Sequence, residues 1–167
     1  MQHRHHRSPG FPAMVGGRVK TWHPAMHGGI VARRNPAHLN EFTRHHLTPI
    51  NDVVVNLSPV QEMVAQSGVT LADAVEAIDI GGVALRRAAA KHHASVTVLC
   101  DPDDDASMAA TCFTAASGDA RGPSAARRLH RAFKALRHTA DDDAAMAASL
   151  SAQRAPSQVQ RPGSHES

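Results

Sequence analysis

Residues 50–57 (INDVVVNL) place three consecutive valines between Ile50 and Leu57. A short unbroken apolar run of this kind predicts a strand buried on both faces, as in a parallel sheet covered by helices. Ser58-Pro59 ends it. Residues 95–100 (SVTVLC) predict a second strand, closed by Asp101-Pro102. Between and around these runs the period changes to that of helices. Asn35-Pro36 is a helix start, an Asn cap with proline in the first turn; Leu39 and Phe42 share a face, and the helix is expected to reach about His46 before Thr48-Pro49 breaks it. Thr70 caps a further helix, with Asp73 in a capping-box position and Leu71, Val75 and Ile78 on the expected core face. Gly81-Gly82 precede a helical run from Val83 to about His92. Residues 106–116 are expected to be helical and 118–123 a loop. Ser124 opens an amphipathic helix with Leu129, Ala132, Phe133 and Leu136 on one face, and Asp141 to Asp143 introduce a separate short helix ending near Leu150. Residues 1–9 (MQHRHHRSP) and the Gln/Ser/Pro-rich stretch from 151 have little to bury and predict disordered tails around a domain spanning 10–150.

Composition qualifies this picture in one respect. Of the 167 residues 42% are hydrophobic, but only 3% are aromatic, with no tyrosine and a single tryptophan. A core made largely of alanine buries less area per residue, so stability is expected to be modest. The formal charge of +3 admits acidic ligands or nucleic acid without selecting either. Cys100 and Cys112 are too few for a disulfide framework and lie outside any CxxC, which fits reduced, partly buried thiols in a cytoplasmic protein. No apolar run has the length of a membrane span, and the amino-terminal residues contain no apolar segment typical of a secretory signal.

Two glycine-flanked stretches carry the candidate chemistry. Residues 17–29 enclose Arg18, Lys20, Thr21, His23 and His27 between Gly-Gly pairs. With Pro24 opposing a helix interior, a loop is expected that presents fixed cations and donors to an anion; a solvated basic loop is the alternative. Gly81-Gly82 lie immediately before a helical run, a junction that points free amides and the positive dipole end at a phosphate or a developing oxyanion. Asp79, two residues earlier, can accept a proton or orient an amide, or serve simply as a cap. Lys91 lies at the far end of the same helix. Asn56, near the carboxyl end of the first strand, is where open α/β sheets bind ligands. The acidic run Asp103 to Asp105 reads as a solvated turn or a divalent-metal site. Arg127, Arg128, Arg131, Lys134 and Arg137 read as a solvated face or a nucleic-acid contact. The thirteen histidines contain no zinc-binding arrangement: Pro24 interrupts His23 and His27, and no HExxH is present.

Four segments together carry a resemblance: residues 16–33 (GGRVKTWHPAMHGGIVAR), 49–59 (PINDVVVNLSP), 68–91 (GVTLADAVEAIDIGGVALRRAAAK) and 95–102 (SVTVLCDP). In this order they resemble the IMP cyclohydrolase domain of the bifunctional AICAR formyltransferase/IMP cyclohydrolase family, supported by Gly10-Phe11-Pro12 and the later RAFKALRHTADDDAAMAASL. The resemblance implies an α/β, methylglyoxal-synthase-like three-layer domain with a mainly parallel sheet. It also implies that the family's opening strands and phosphate loop, and its formyltransferase domain, lie outside this sequence, leaving the sheet incomplete on its N-terminal side. The implied reaction closes a purine ring: the carboxamide nitrogen of formyl-AICAR attacks the formyl carbon and water leaves to give IMP. No cofactor or metal is implied. Purine ribonucleotide is the implied ligand and a homodimer the implied assembly; neither a membrane nor nucleic acid is an expected partner.

Matched residue by residue, Lys20, Asp79 and Lys91 fall on catalytic family positions, and Arg18, Thr21, Asn56, Gly81 and Gly82 on positions lining the nucleotide site. The sequence departs from the family where Ser58 replaces the tyrosine of NLYPF and Val60 its phenylalanine. It departs again at Trp22 for leucine, Val83 for the proline of GGP, and His92 for the asparagine of AAAKN. A helix starting at Gly82 would carry Lys91 about 13 Å along its axis, so Asp79 and Lys91 share a ligand only if it lies along the helix.

Overall fold

The structure, a computed structural model, describes residues 21–56, 60–102, 104 and 122–153. Those residues form helices α1 (Pro24–Val31), α2 (Pro36–Arg44), α3 (Val60–Val64), α4 (Leu71–Glu76), α5 (Gly81–Lys91) and α6 (Ala125–Gln153), and strands β1 (Asp52–Val54) and β2 (Thr97–Leu99). The chain divides into two compact units.

The first unit comprises residues up to 58 together with 79–141. Its centre is the parallel pair β1–β2, in register Asp52↔Thr97, Val53↔Val98 and Val54↔Leu99. The pairing is continued at both ends by Thr97 N to Asn51 O (2.8 Å) and Val55 N to Leu99 O (3.0 Å). β2 is buried along its length, as the continuous apolar run predicts. β1 is not. It is shorter than residues 50–57, and Val53 is buried while Val54 is 62% exposed. Only one face of β1 is covered, by the layer that contains α5, so the valine run marks a strand of the core but not burial on both sides.

From Pro24 onward the stretch expected as a ligand loop is helix α1 instead; residues 17–20 lie outside the described residues. Pro24 occupies the first turn, where a missing N–H costs nothing and the fixed φ suits a helix. His23 caps it, Nδ1 accepting from Ala25 N at 3.1 Å. The second glycine pair then serves packing. A Cβ on Gly29 would lie 3.0 Å from both Ile50 side-chain carbons and from Thr48 O, and Gly29 O accepts from Ile50 N at 2.9 Å. Close approach of a helix to the chain entering β1 explains Gly29.

α2 follows the sequence closely: Asn35 Oδ1 accepts from His38 N at 2.9 Å, Pro36 stands in the first turn and Phe42 is buried. Its end is set by His46, at φ 54°, beyond which Leu47 N returns to Phe42 O. The core of this unit gathers Ile30, Val53, Leu85, Val96, Val98 and Cys100 with Ala89, Ala90, Ala132 and Ala135. Alanine is therefore the packing residue of both α5 and α6.

That choice overturns the expected face of α6. Leu129, Phe133 and Leu136 are 54%, 63% and 43% exposed, whereas Ala132 and Ala135 are buried. Small side chains let the helix backbone approach the core, and the bulkier arc is turned outward. Asp141 to Asp143 do not open a new helix: α6 is continuous to Gln153 and supplies residues to both units, so Ser151 belongs to it and not to a disordered tail.

The second unit comprises 59–78 and 142 onward. Val60, Ala74 and Met146 form its core, with Met63, Val64, Val69 and Leu150 packed against them. Gln61 Nε2 donates to Asp142 Oδ1 at 3.3 Å. The capping box of α4 forms as its sequence requires. Asp73 N donates to Thr70 Oγ1 (3.2 Å), and Thr70 N and Oγ1 donate to Asp73 Oδ2 (3.1 and 2.7 Å). These bonds, first that from the Thr70 hydroxyl, hold the Asp73 carboxyl below its ordinary pKa. The core face of α4 differs from the expected one: Leu71, Val75 and Ile78 are exposed and Ala74 is buried. The helix ends at Glu76, so Ile78 lies beyond it, and contact again runs through a methyl group.

Candidate functional site

The carboxyl ends of β1 and β2 are joined to α5 in the first unit. Arg86, one turn along α5 from Gly82, donates through Nε (3.2 Å) and Nη2 (3.0 Å) to Val55 O. The middle of α5 is thus tied to the end of β1, and exposed Asn56 directly follows the bonded residue.

At the helix start, Asp79 Oδ1 accepts from Gly82 N at 3.0 Å. Ile80, the residue immediately before the helix, makes no side-chain cap bond, so Asp79 performs the capping from one position earlier. This uses the Gly82 amide internally; the Gly81 and Val83 amides are the first-turn donors left without a partner among the described residues. Gly81 permits a close approach of a different kind. A Cβ there would lie 2.7 Å from Thr21 Oγ1 and 3.7 Å from Trp22 Nε1, so the segment entering α1 is laid against the start of α5. Thr21, Asp79, Gly81 and Gly82 are thereby brought together, and Asn56 follows the residue that Arg86 of the same helix holds.

Lys91 is not among them. It is exposed at the last position of the 11-residue helix, about 15 Å from Gly81 at 1.5 Å per residue. Arg18, Lys20 and Ser58 lie outside the described residues, as do Cys112, Asp103, Asp105 and the expected helix at 106–116.

The acidic run after β2 and the basic arc of α6 partly account for each other. Lys134 Nζ lies 3.1 Å from Asp101 Oδ2 and 3.0 Å from Asp104 Oδ1. Burial opposes the Lys134 charge, but its bonds to and attraction by Asp104 and Asp101 outweigh this and raise its pKa. Arg128 donates from Nε to His93 O and from Nη2 to Ala94 O (both 2.9 Å), and from Nη1 to Pro123 O. Arg137 pairs with Asp141 at 3.0 Å, and Arg131 is buried. These cations serve the protein's own contacts, which weighs against the arc as a nucleic-acid surface. No group of three or more His, Cys, Asp or Glu among the described residues is placed to hold a metal ion.

Comparison with known proteins agrees with the layout. The bifunctional purine biosynthesis protein PurH of Streptococcus mutans serotype c is 48% identical over 145 residues, 86% of this chain. That of Chloroflexus aurantiacus is 48% identical over 148 residues, 88% of the chain. The chain belongs to the PurH family. A third PurH, from Trichormus variabilis, is 56% identical over 94 residues, 56% of the chain. The chain spans 27%, 28% and 19% of the lengths of these curated PurH relatives. No family model matches it. Among solved structures, one titled "Crystal structure of ForH" superposes with a TM-score of 0.74 at 34% identity, covering 87% of this chain and 72% of that one. With the parallel pair β1–β2, this bears out the α/β, methylglyoxal-synthase-like class. No helix among the described residues is long and apolar enough to cross a membrane.

Arg86 is the residue of this candidate site that sequence reading missed, and Trp22, read there only as a departure from the family, lies against Gly81. The signal for Arg86 was available: it lies four residues before Ala90 and beside Leu85, on the buried arc of its helix.

Proposed function

We propose that this chain is an IMP-cyclohydrolase-like module of purine biosynthesis, closing formyl-AICAR to IMP with loss of water. The observation that carries the reading is the meeting of Thr21, Asp79 and the Gly81-Gly82 turn at the start of α5, in a chain of the PurH family. As the carboxamide nitrogen attacks the formyl carbon, negative charge develops on the formyl oxygen, and the open Gly81 and Val83 amides at the positive end of α5 suit it. Asp79 is the carboxylate at hand for the amide proton. Arg18, Lys20 and Thr21 would engage the ribotide from the segment leading into α1. Within this reading the functional domain is residues 10–150, the protein is cytoplasmic, and its assembly is a homodimer.

A second reading is favoured by two observations: Ser58 replaces the family tyrosine in a chain without any tyrosine, and Lys91 lies about 15 Å from Gly81. Here the chain is a catalytically inactive relative that binds purine nucleotide or a protein partner. The deciding experiment follows formyl-AICAR conversion to IMP by absorbance, comparing the unaltered chain with Lys20→Ala. A rate lost in Lys20→Ala supports catalysis. Equal rates reject it, and a thermal shift with IMP but no turnover selects the binding reading.

A further inference from the structure

Arg86 is an arginine with no exposed surface, and its hydrogen bonds converge on one place. Besides the two bonds to Val55 O, Nη2 donates to Cys100 O at 3.2 Å and Nη1 to His138 Nδ1 at 3.1 Å. The guanidinium has no acceptor, so the imidazole nitrogen accepts. Val55 and Cys100 are the residues immediately past the last ladder pair, Val54↔Leu99. One rigid, planar fork therefore bridges the two strand ends where their own pairing stops, and fixes them to α5 and α6. The residues that follow are Asn56 and Asp101, at the carboxyl edge where ligands of parallel sheets bind. A buried cation is a poor device for stability, since an apolar residue of similar size often does as well or better. Its advantage here is direction.

We infer that Arg86 is a positioning residue for the nucleotide site, setting where Asn56 stands relative to α5. This rests on the reading of that site as a purine-ribotide site. Arg86 does not touch ligand; it acts through the Val55 carbonyl. Arg86→Leu introduces an apolar side chain and keeps good helix propensity, so the helix is expected to form. IMP titration by calorimetry on the full chain would compare the unaltered protein, Arg86→Leu, Asn56→Ala and the double variant, with Arg86→Lys as the conservative change. The expected result is a five- to tenfold weaker affinity (roughly one hydrogen bond) for Arg86→Leu and for Asn56→Ala, with the double variant no weaker than either. Backbone ¹⁵N order parameters at Asn56 and Asp101 would fall in Arg86→Leu while those of β2 hold. Unchanged affinity or unchanged order in Arg86→Leu, or strictly additive losses, would overturn this inference alone. Absence of IMP binding by the unaltered chain would overturn the reading of the site beneath it.

Discussion

Gly81→Ala is a one-carbon test of how the site is assembled. The added methyl would lie 2.7 Å from Thr21 Oγ1, roughly 0.7 Å inside ordinary contact, and 3.7–3.8 Å from the edge of the Trp22 ring. Two energies oppose each other. Replacing glycine in a helix gains up to about 1 kcal/mol, and driving Thr21 off its rotamer costs about 0.5–1.5 kcal/mol. Global stability should therefore change by less than about 1 kcal/mol, a few degrees in Tm at most. Local geometry should not be spared, because Thr21 must rotate or the 21–22 segment must retreat. Trp22 is the single tryptophan of the chain and 58% exposed, so its fluorescence reports that segment without labelling. The expected outcome is an altered emission spectrum, an unchanged far-UV melt, and an IMP affinity weakened by roughly tenfold through loss of one directed contact. Thr21→Ala in the same background should return the Trp22 emission toward that of the Thr21→Ala single variant. Emission and IMP titration indistinguishable from the unaltered protein would refute the packing of Thr21 against α5.

Three further outcomes follow from the fold. Leu85→Ala, at a buried core position of α5, should cost about 2–4 kcal/mol, read as a lowered urea midpoint at constant slope. Burial, and then the charge of Arg34, hold the His92 pKa below its ordinary 6.5; since the unfolded chain binds the proton first, stability should fall as pH drops through about 6.5 and level off below the folded value, and His92→Gln should flatten that slope in pH-dependent melts. Burial raises the pKa of Cys100, so in a Cys112→Ser background it should resist thiol reagents at neutral pH and react fully only on denaturation.

Much of the fold was legible because local chemistry decides it. Asn35-Pro36 and Thr70-Asp73 cap the helices they announce, since a cap needs only its own backbone. β2 could be read from its apolar run. What misled was periodicity where alanine is the contact residue. On α4 and α6 the larger side chains formed the more convincing stripe, yet Ala74, Ala132 and Ala135 hold the interface, because contact distance is a tertiary property no single helix encodes. The reading of Gly29 failed for a related reason: whether a glycine faces a ligand or a neighbouring segment depends on what packs against it. At the site, the capping alternative for Asp79 was legible, because the Gly82 amide it takes up is three residues away, whereas Arg86 went unmarked because its partners, Val55, Cys100 and His138, are distant in the chain.

The reliance on Ala89, Ala90, Ala132 and Ala135 has a consequence for mutagenesis. Where methyl groups are the mortar, truncation has nothing to remove, and a scan that replaces residues by alanine would pass over this part of the core in silence. Enlargement is the informative operation there. A single Ala135→Leu would have to wedge two closely seated layers apart, at a cost of about 1–3 kcal/mol, and the scar would be felt along the whole helix seam.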